Sequence, residues 1–221
     1  RLCENLGIVV ISYDQHGENS DIDALSVTLK RPIIVRSSSK QSACRLRFDL
    51  AHELAHLLFH DGIITGCRKT ESQANHFAGA FLLPRAIMIK YFPSIFSNGR
   101  FRWDNMSEFK KQFKVSKAAT LYRAKQLSLL TESQYRTGII YLKNKGESKQ
   151  ESEDNLIELE KPELLESCFT YLAEKENIYV EKLCDDLYVK PVFLEHLLSI
   201  NLDQSIYTRK YKAEKLGLKV S

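Results

Sequence analysis

No apolar run in this 221-residue chain approaches the ~20 residues needed to cross a bilayer, and no secretory leader opens it. No internal repeat and no glycine-rich phosphate loop occur, which removes solenoid architectures and P-loop chemistry. Cys-x-x-Cys pairs are missing too. The five cysteines (Cys3, Cys44, Cys67, Cys168, Cys184) are odd in number and scattered, which argues for a reducing compartment and against a cysteine-bound metal. Charge of one sign is scarce: a formal net charge of +4 is modest for a nucleic-acid binder. With 43% hydrophobic and 27% charged residues, the composition is that of an ordinary soluble protein with room for one substantial core and a smaller domain. The chain also lacks an initial methionine. Arg1 to Leu6 before Gly7 reads as the last turn of a helix, so a longer native protein is expected.

What is present is concentrated in Phe48-Asp49-Leu50-Ala51-His52-Glu53-Leu54-Ala55-His56. Two histidines four apart stand one turn apart on the same side of a helix, where both imidazoles can close on one tetrahedral zinc. Glu53 follows the first, placed to hold and deprotonate a water on that metal. Wound onto a helix, Arg45, Asp49, His52, Glu53, His56 and His60 share a sector roughly 100° wide. The remaining circumference is apolar apart from Arg47, which predicts a buried helix whose polar stripe faces a cleft. The plainer alternative is a solvated polar face with two incidental histidines, which the apolar remainder disfavours.

A catalytic zinc takes a third protein ligand and keeps one position open. His60 lies ~12 Å along the helix from His52, too far to share one metal with both histidines. Glu71 is the better candidate. Thr70-Glu71-Ser72-Gln73 reads as a capping box opening a helix that runs to Leu83 and stops at Pro84. Ala74, Ala78, Gly79 and Ala80 keep that helix slim for close packing, and Asn75 is placed to hydrogen-bond the free nitrogen of a ligand histidine. Glu71 is also favoured at a helix N-terminus simply by the dipole. His76 is the runner-up ligand, but it points away from Glu71 around this helix and reads as a packed surface histidine. Cys44 and Cys67 can approach the site, with free buried cysteine the plainer reading.

Arg47 to His60, followed by Glu71 to Pro84, resembles the ImmA/IrrE family of metallopeptidases in the order and spacing of both blocks. The resemblance covers the chain to about Leu130. It implies zinc on His52, His56 and Glu71, with Glu53 as general base. Asp49 stands where the family commonly has a small hydroxyl residue, which adds negative charge near the metal. The resemblance further implies a cytoplasmic bacterial or phage protease that cleaves a helix-turn-helix repressor and so derepresses genes of a stress response or a mobile element.

Around this centre the sequence predicts an α+β, zincin-like core over residues 1–103, with strands at Ile8 to Ile11, Leu25 to Leu29 and Ile33 to Val35 about a Lys30-Arg31-Pro32 turn. An edge strand there would let an extended peptide pair its backbone. Residues 104–143 contain a helix pair, Asp104 to Phe113 and Ser116 to Leu129, with helix-turn-helix spacing and six basic side chains (Lys110, Lys111, Lys114, Lys117, Arg123, Lys125). Packing against the peptidase is the favoured role for the pair, with DNA binding the lesser one. Residues 144–155 read as a polar linker. Residues 156–221 read as a small helical module with a first helix opening at Pro162, short helices at Leu183 to Leu187 and Pro191 to Leu198, and an uninformative charged tail beyond Asn201.

Two function classes follow. One is a zinc endopeptidase acting on a repressor protein; the other is a non-catalytic DNA-binding regulator with a structural zinc. Glu53 favours the enzyme, because a structural site fills all four positions and has no use for a neighbouring base. The oxyanion-stabilising group is not legible, with Tyr91, Tyr122 and Arg123 as candidates.

Overall fold

The computed structural model describes residues 1–13, 24–37, 42–63, 66–198 and 200–208, and shows a mixed α+β protein in two units, residues 1–39 with 161–221 and residues 40–160. Among the described residues no helix is long and apolar enough to cross a membrane.

The first unit opens with a helical turn, α1 (Leu2–Asn5), released at Gly7, whose φ of 81° lies in the left-handed region that glycine enters without strain. Strand β1 (Val9–Tyr13) then pairs parallel with β3 (Pro32–Ser37), and β2 (Ala24–Thr28) pairs antiparallel with β3, giving the order β1-β3-β2. These are the three strands the apolar runs predict, each displaced by one or two residues. Central β3 carries Ile34, which is fully buried, and Arg36, whose Nε donates to Ser12 Oγ at 2.9 Å. Outer β2 exposes Leu25 and Val27.

The second unit begins with α2 (Ala43–Phe59), whose N-cap Ser42 accepts from the Arg45 N–H. It packs along α3 (Arg68–Leu82), where Ala74 and Ala78 are wholly buried and let the two backbones approach. Burial of α2 is less complete than its sequence suggests, because Leu58 and Phe59 in the last turn are exposed. Next come α4 (Arg85–Ile95), a two-residue hairpin of β4 (Phe96–Ser97) and β5 (Arg100–Phe101), α5 (Trp103–Phe113), α6 (Lys117–Gln126) and α7 (Glu132–Asn144). Their apolar faces meet in one core built on Met88, Phe92, Ile95, Met106, Phe109, Leu121 and Leu142. Between α5 and α6 the chain turns at Lys114 (φ 53°), and Ser116 caps α6, close to the expected helix pair. Close packing of α7 depends on Gly138, where a Cβ would stand 2.8 Å from Leu121 Cδ1.

The polar segment expected as a linker is folded instead. Lys110 is fully buried, its Nζ 2.6 Å from Asp154 Oδ1 and 2.7 Å from Glu151 Oε2. Lys117 Nζ reaches Glu147 at 2.8 Å and Glu153 at 2.9 Å, and Glu151 also accepts from the Lys117 backbone N–H at the start of α6. Buried lysines are tolerable only with such partners, so the acidic residues that read as solvated are held inside. Beyond them Ile157 packs on Ala43 and Cys44, the Arg45 guanidinium donates to the Ser148 carbonyl, and Arg47 pairs with Glu160 at 3.5 Å. Arg47, the one misplaced charge on α2, is thereby accounted for.

The C-terminal helices α8 (Leu164–Lys175), α9 (Val180–Leu187) and α10 (Pro191–Leu198) share the first unit with the strands. Helix α8 starts at Leu164 and not at Pro162, because Glu4 of α1 accepts from the backbone N–H groups of Glu163 and Leu164 at 2.9 and 2.7 Å. Tyr179, Val180, Cys184 and Leu194 form a core that also takes in Leu202 and Ile206. The start of the tail is therefore structural, and from residue 209 it lies outside the described residues.

Candidate metal centre

Steps of four along α2 bring His52, His56 and His60 onto one side, with successive ring centroids 4.8 and 4.9 Å apart. The facing helix α3 supplies Glu71 from its first turn. That helix begins at Arg68 with Cys67 as N-cap, three residues ahead of the expected start, and the Thr70 to Gln73 capping box does not form. Thr70 Oγ1 instead donates to the Cys67 carbonyl at 3.0 Å, and Gln73 turns toward α2. The earlier start leaves Glu71 aimed at the histidines.

The three residues converge. His52 Nε2 lies 3.0 Å from His56 Nε2 and 3.1 Å from Glu71 Oε2, and His56 Nε2 lies 3.5 Å from Glu71 Oε1. One donor atom from each falls within 4.8 Å of the others, so His52, His56 and Glu71 can hold a metal ion together. Among the described residues no other histidine, cysteine, aspartate and glutamate group does so.

Each of the three is held from behind. His52 Nδ1 is 3.1 Å from Asn75 Oδ1, the partnership expected one turn after Glu71. Glu71 Oε1 accepts from the Gly66 backbone N–H at 3.1 Å. His56 Nδ1 is 3.0 Å from His60 Nδ1, and His60 Nε2 is 3.0 Å from Gln73 Oε1. The last chain and the Gly66 contact were not legible in the sequence; continued four-residue histidine spacing is the only signal for His60. Burial, with the neighbouring His52 charge, holds the His56 imidazole below its ordinary value despite the opposing Glu71 carboxylate. That direction keeps the ring neutral, with a lone pair to give to a metal.

The other predicted residues fall as follows. Glu53 is buried on α2 directly after His52, and Asp49 is half-buried one turn earlier. His76 is exposed. Cys44 is buried, its thiol pushed up to about 11 chiefly by burial, whereas Cys67 is exposed, contrary to the expectation of a buried thiol. Of the oxyanion candidates, Arg123 is engaged elsewhere, donating from Nε to the Leu83 carbonyl at the end of α3 at 3.0 Å. Tyr91 packs on Phe109 and Phe113, and Tyr122 on Tyr135.

A search of the curated proteins returns no match. The family model for the IrrE N-terminal-like domain, by contrast, matches residues 3–125, more than half of the chain and both helices of the metal centre. With two histidines of one helix meeting a glutamate of the next inside that match, the chain belongs to this peptidase family, the ImmA/IrrE family.

Proposed function

We propose that this protein is a zinc-dependent endopeptidase that cleaves a helix-turn-helix transcriptional repressor at one site in the cytoplasm. The observation that carries the reading is the convergence of His52, His56 and Glu71 in a family of peptidases. The donor set fits the ion: two ~2.0–2.1 Å bonds at a tetrahedral angle place donors ~3.3 Å apart, against 3.0, 3.1 and 3.5 Å here. Two imidazoles and one carboxylate also match the three-ligand sets of catalytic rather than structural zinc. A zinc ion held by these residues supplies Lewis acidity at neutral pH.

The chain's own residues then have separate tasks. His52 and His56 present their Nε2 atoms, and Asn75 orients the first of these rings. Glu71 offers a carboxylate steadied by the Gly66 N–H. Glu53, beside His52, takes the proton of the attacking water and returns it to the leaving amine. In this reading the metal helices belong to a zincin-like peptidase fold. Docking of a folded substrate supplies selectivity, since proximity raises the effective concentration of one exposed loop.

The DNA-binding alternative loses three of its six basic side chains, because Lys110 and Lys117 are buried in ion pairs and Arg123 is buried against the Leu83 carbonyl. Zinc-loaded protein is expected to cut a cognate repressor once, at an exposed linker, while leaving casein intact. Vigorous digestion of unrelated unfolded proteins, or no cleavage of any repressor with zinc fully bound, would contradict the proposal.

A further inference from the structure

We infer that His60 is a positioning residue for the metal centre: with Gln73 it forms a relay of hydrogen bonds that fixes which nitrogen of His56 carries the proton. The inference rests on the reading of His52, His56 and Glu71 as metal ligands, and goes beyond it by giving a role to a histidine that binds no metal.

The logic is one of donors and acceptors. His56 faces His52 and Glu71 with Nε2, so a metal takes the Nε2 lone pair and the ring proton must sit on Nδ1. That N–H points at His60 Nδ1, 3.0 Å away, which must then be an acceptor. A neutral His60 accepting at Nδ1 carries its own proton on Nε2. Nε2 lies 3.0 Å from Gln73 Oε1, an acceptor. Both contacts of the relay, His56 to His60 and His60 to Gln73, thus have one donor and one acceptor under this assignment of protons. The reverse assignment puts the His56 proton on Nε2, where it blocks the metal.

Burial separates the two members. His60 is 6% exposed, so if its acceptor is lost no water can readily take the place, and the His56 N–H is left without a partner. Gln73 is exposed, so water can stand in for its amide. His60 therefore carries the effect and Gln73 contributes little.

Asparagine and leucine at position 60 are nearly the same shape. Asparagine places Oδ1, an acceptor, where His60 Nδ1 stands; leucine places a methyl group there. Zinc affinity of the full chain, measured by competition with a chromophoric chelator, is expected to fall about 10–100-fold in His60→Leu and to stay within about threefold of the parent in His60→Asn and Gln73→Ala. Long-range proton–nitrogen spectra of the unsubstituted, zinc-loaded protein should show His60 protonated at Nε2 alone and His56 at Nδ1. Equal affinity in His60→Leu and His60→Asn, or a proton on His60 Nδ1, would overturn the relay. His52→Ala and Glu71→Ala serve as controls. If they too bind zinc like the parent, the metal-site reading itself fails; if they lose zinc while His60→Leu keeps it, only the relay fails.

Discussion

Asn75 Oδ1 lies 3.1 Å from His52 Nδ1, across the interface between the two helices that build the candidate metal centre. One hydrogen bond therefore links helix packing to ligand orientation, since Asn75 sits one turn after Glu71 on the same helix. Replacing Asn75 by Ala is expected to weaken zinc binding about 10–100-fold, whereas Asn75→Asp, which still accepts the His52 proton, should bind at least as tightly as the parent. Chelator competition on the two variants checks this. Equal weakening in both would mean that bulk, and not the acceptor, matters.

Glu71 is the most consequential of the downstream residues, being the only carboxylate of the triad. Glu71→Ala should lose zinc far more severely than His60→Ala, and His76→Ala should not lose it at all, because His76 is exposed. Metal content after dialysis against a weak chelator orders the three variants. A different order would displace Glu71 from the site.

The tetrapeptide Thr-Glu-Ser-Gln occurs twice in the chain, and the two copies show what local sequence can and cannot settle. At Thr131 to Gln134 it forms the capping box: the Thr131 N–H donates to Gln134 Oε1 at 2.8 Å and the Gln134 N–H to Thr131 Oγ1 at 3.2 Å. At Thr70 to Gln73 the same pattern predicts the same cap, but the helix begins upstream and Gln73 bonds to His60. His52, His56, Glu71 and Asn75 were legible because one-turn spacing and short connections fix their relation. The folded segment around Glu147 to Ile157 was not, since its reason for folding lies in Lys110 and Lys117, 30 to 44 residues away in sequence from the carboxylates they bind. Composition alone describes such a segment as solvated. The His60 relay was hidden for a related reason: tautomers are assigned from contacts, and contacts need the fold.

Acid should test the buried charge cluster. Burial alone would raise the Glu153 pKa, but hydrogen bonds from Ser107 and Lys117, with the Lys117 charge, bring it down to about 2. A carboxylate depressed in the folded state stabilises the fold above its unfolded value of ~4.3 and loses that contribution as pH falls through the folded value. Stability should therefore drop between about pH 4.5 and 2, by on the order of 3 kcal/mol for this group. Lys110→Met, which leaves Glu151 and Asp154 buried without their cation, should cost about 3–5 kcal/mol at neutral pH. Urea titrations as a function of pH measure both. A neutral-pH loss below about 1 kcal/mol would contradict the burial of this network.

Gly138→Ala tests the packing of α7. Alanine improves helix propensity by ~1 kcal/mol, yet its methyl group would meet Leu121 at 2.8 Å and Phe101 at 3.3 Å. Leu121 is wholly buried and has little room to move, so the net expectation is a loss of about 1–2 kcal/mol. Thermal unfolding decides the sign; a stabilised variant would show that this contact is loose.

The central claim is that His52, His56 and Glu71 hold a zinc ion with which Glu53 works as a base. Glu53→Gln tests it most directly, since the amide keeps the size of the side chain but takes no proton. Zinc content by mass spectrometry, read beside a repressor-cleavage assay, should show about one zinc per chain, as in the parent, and cleavage reduced at least ~100-fold. Retained cleavage, or loss of the metal along with the activity, would contradict the account.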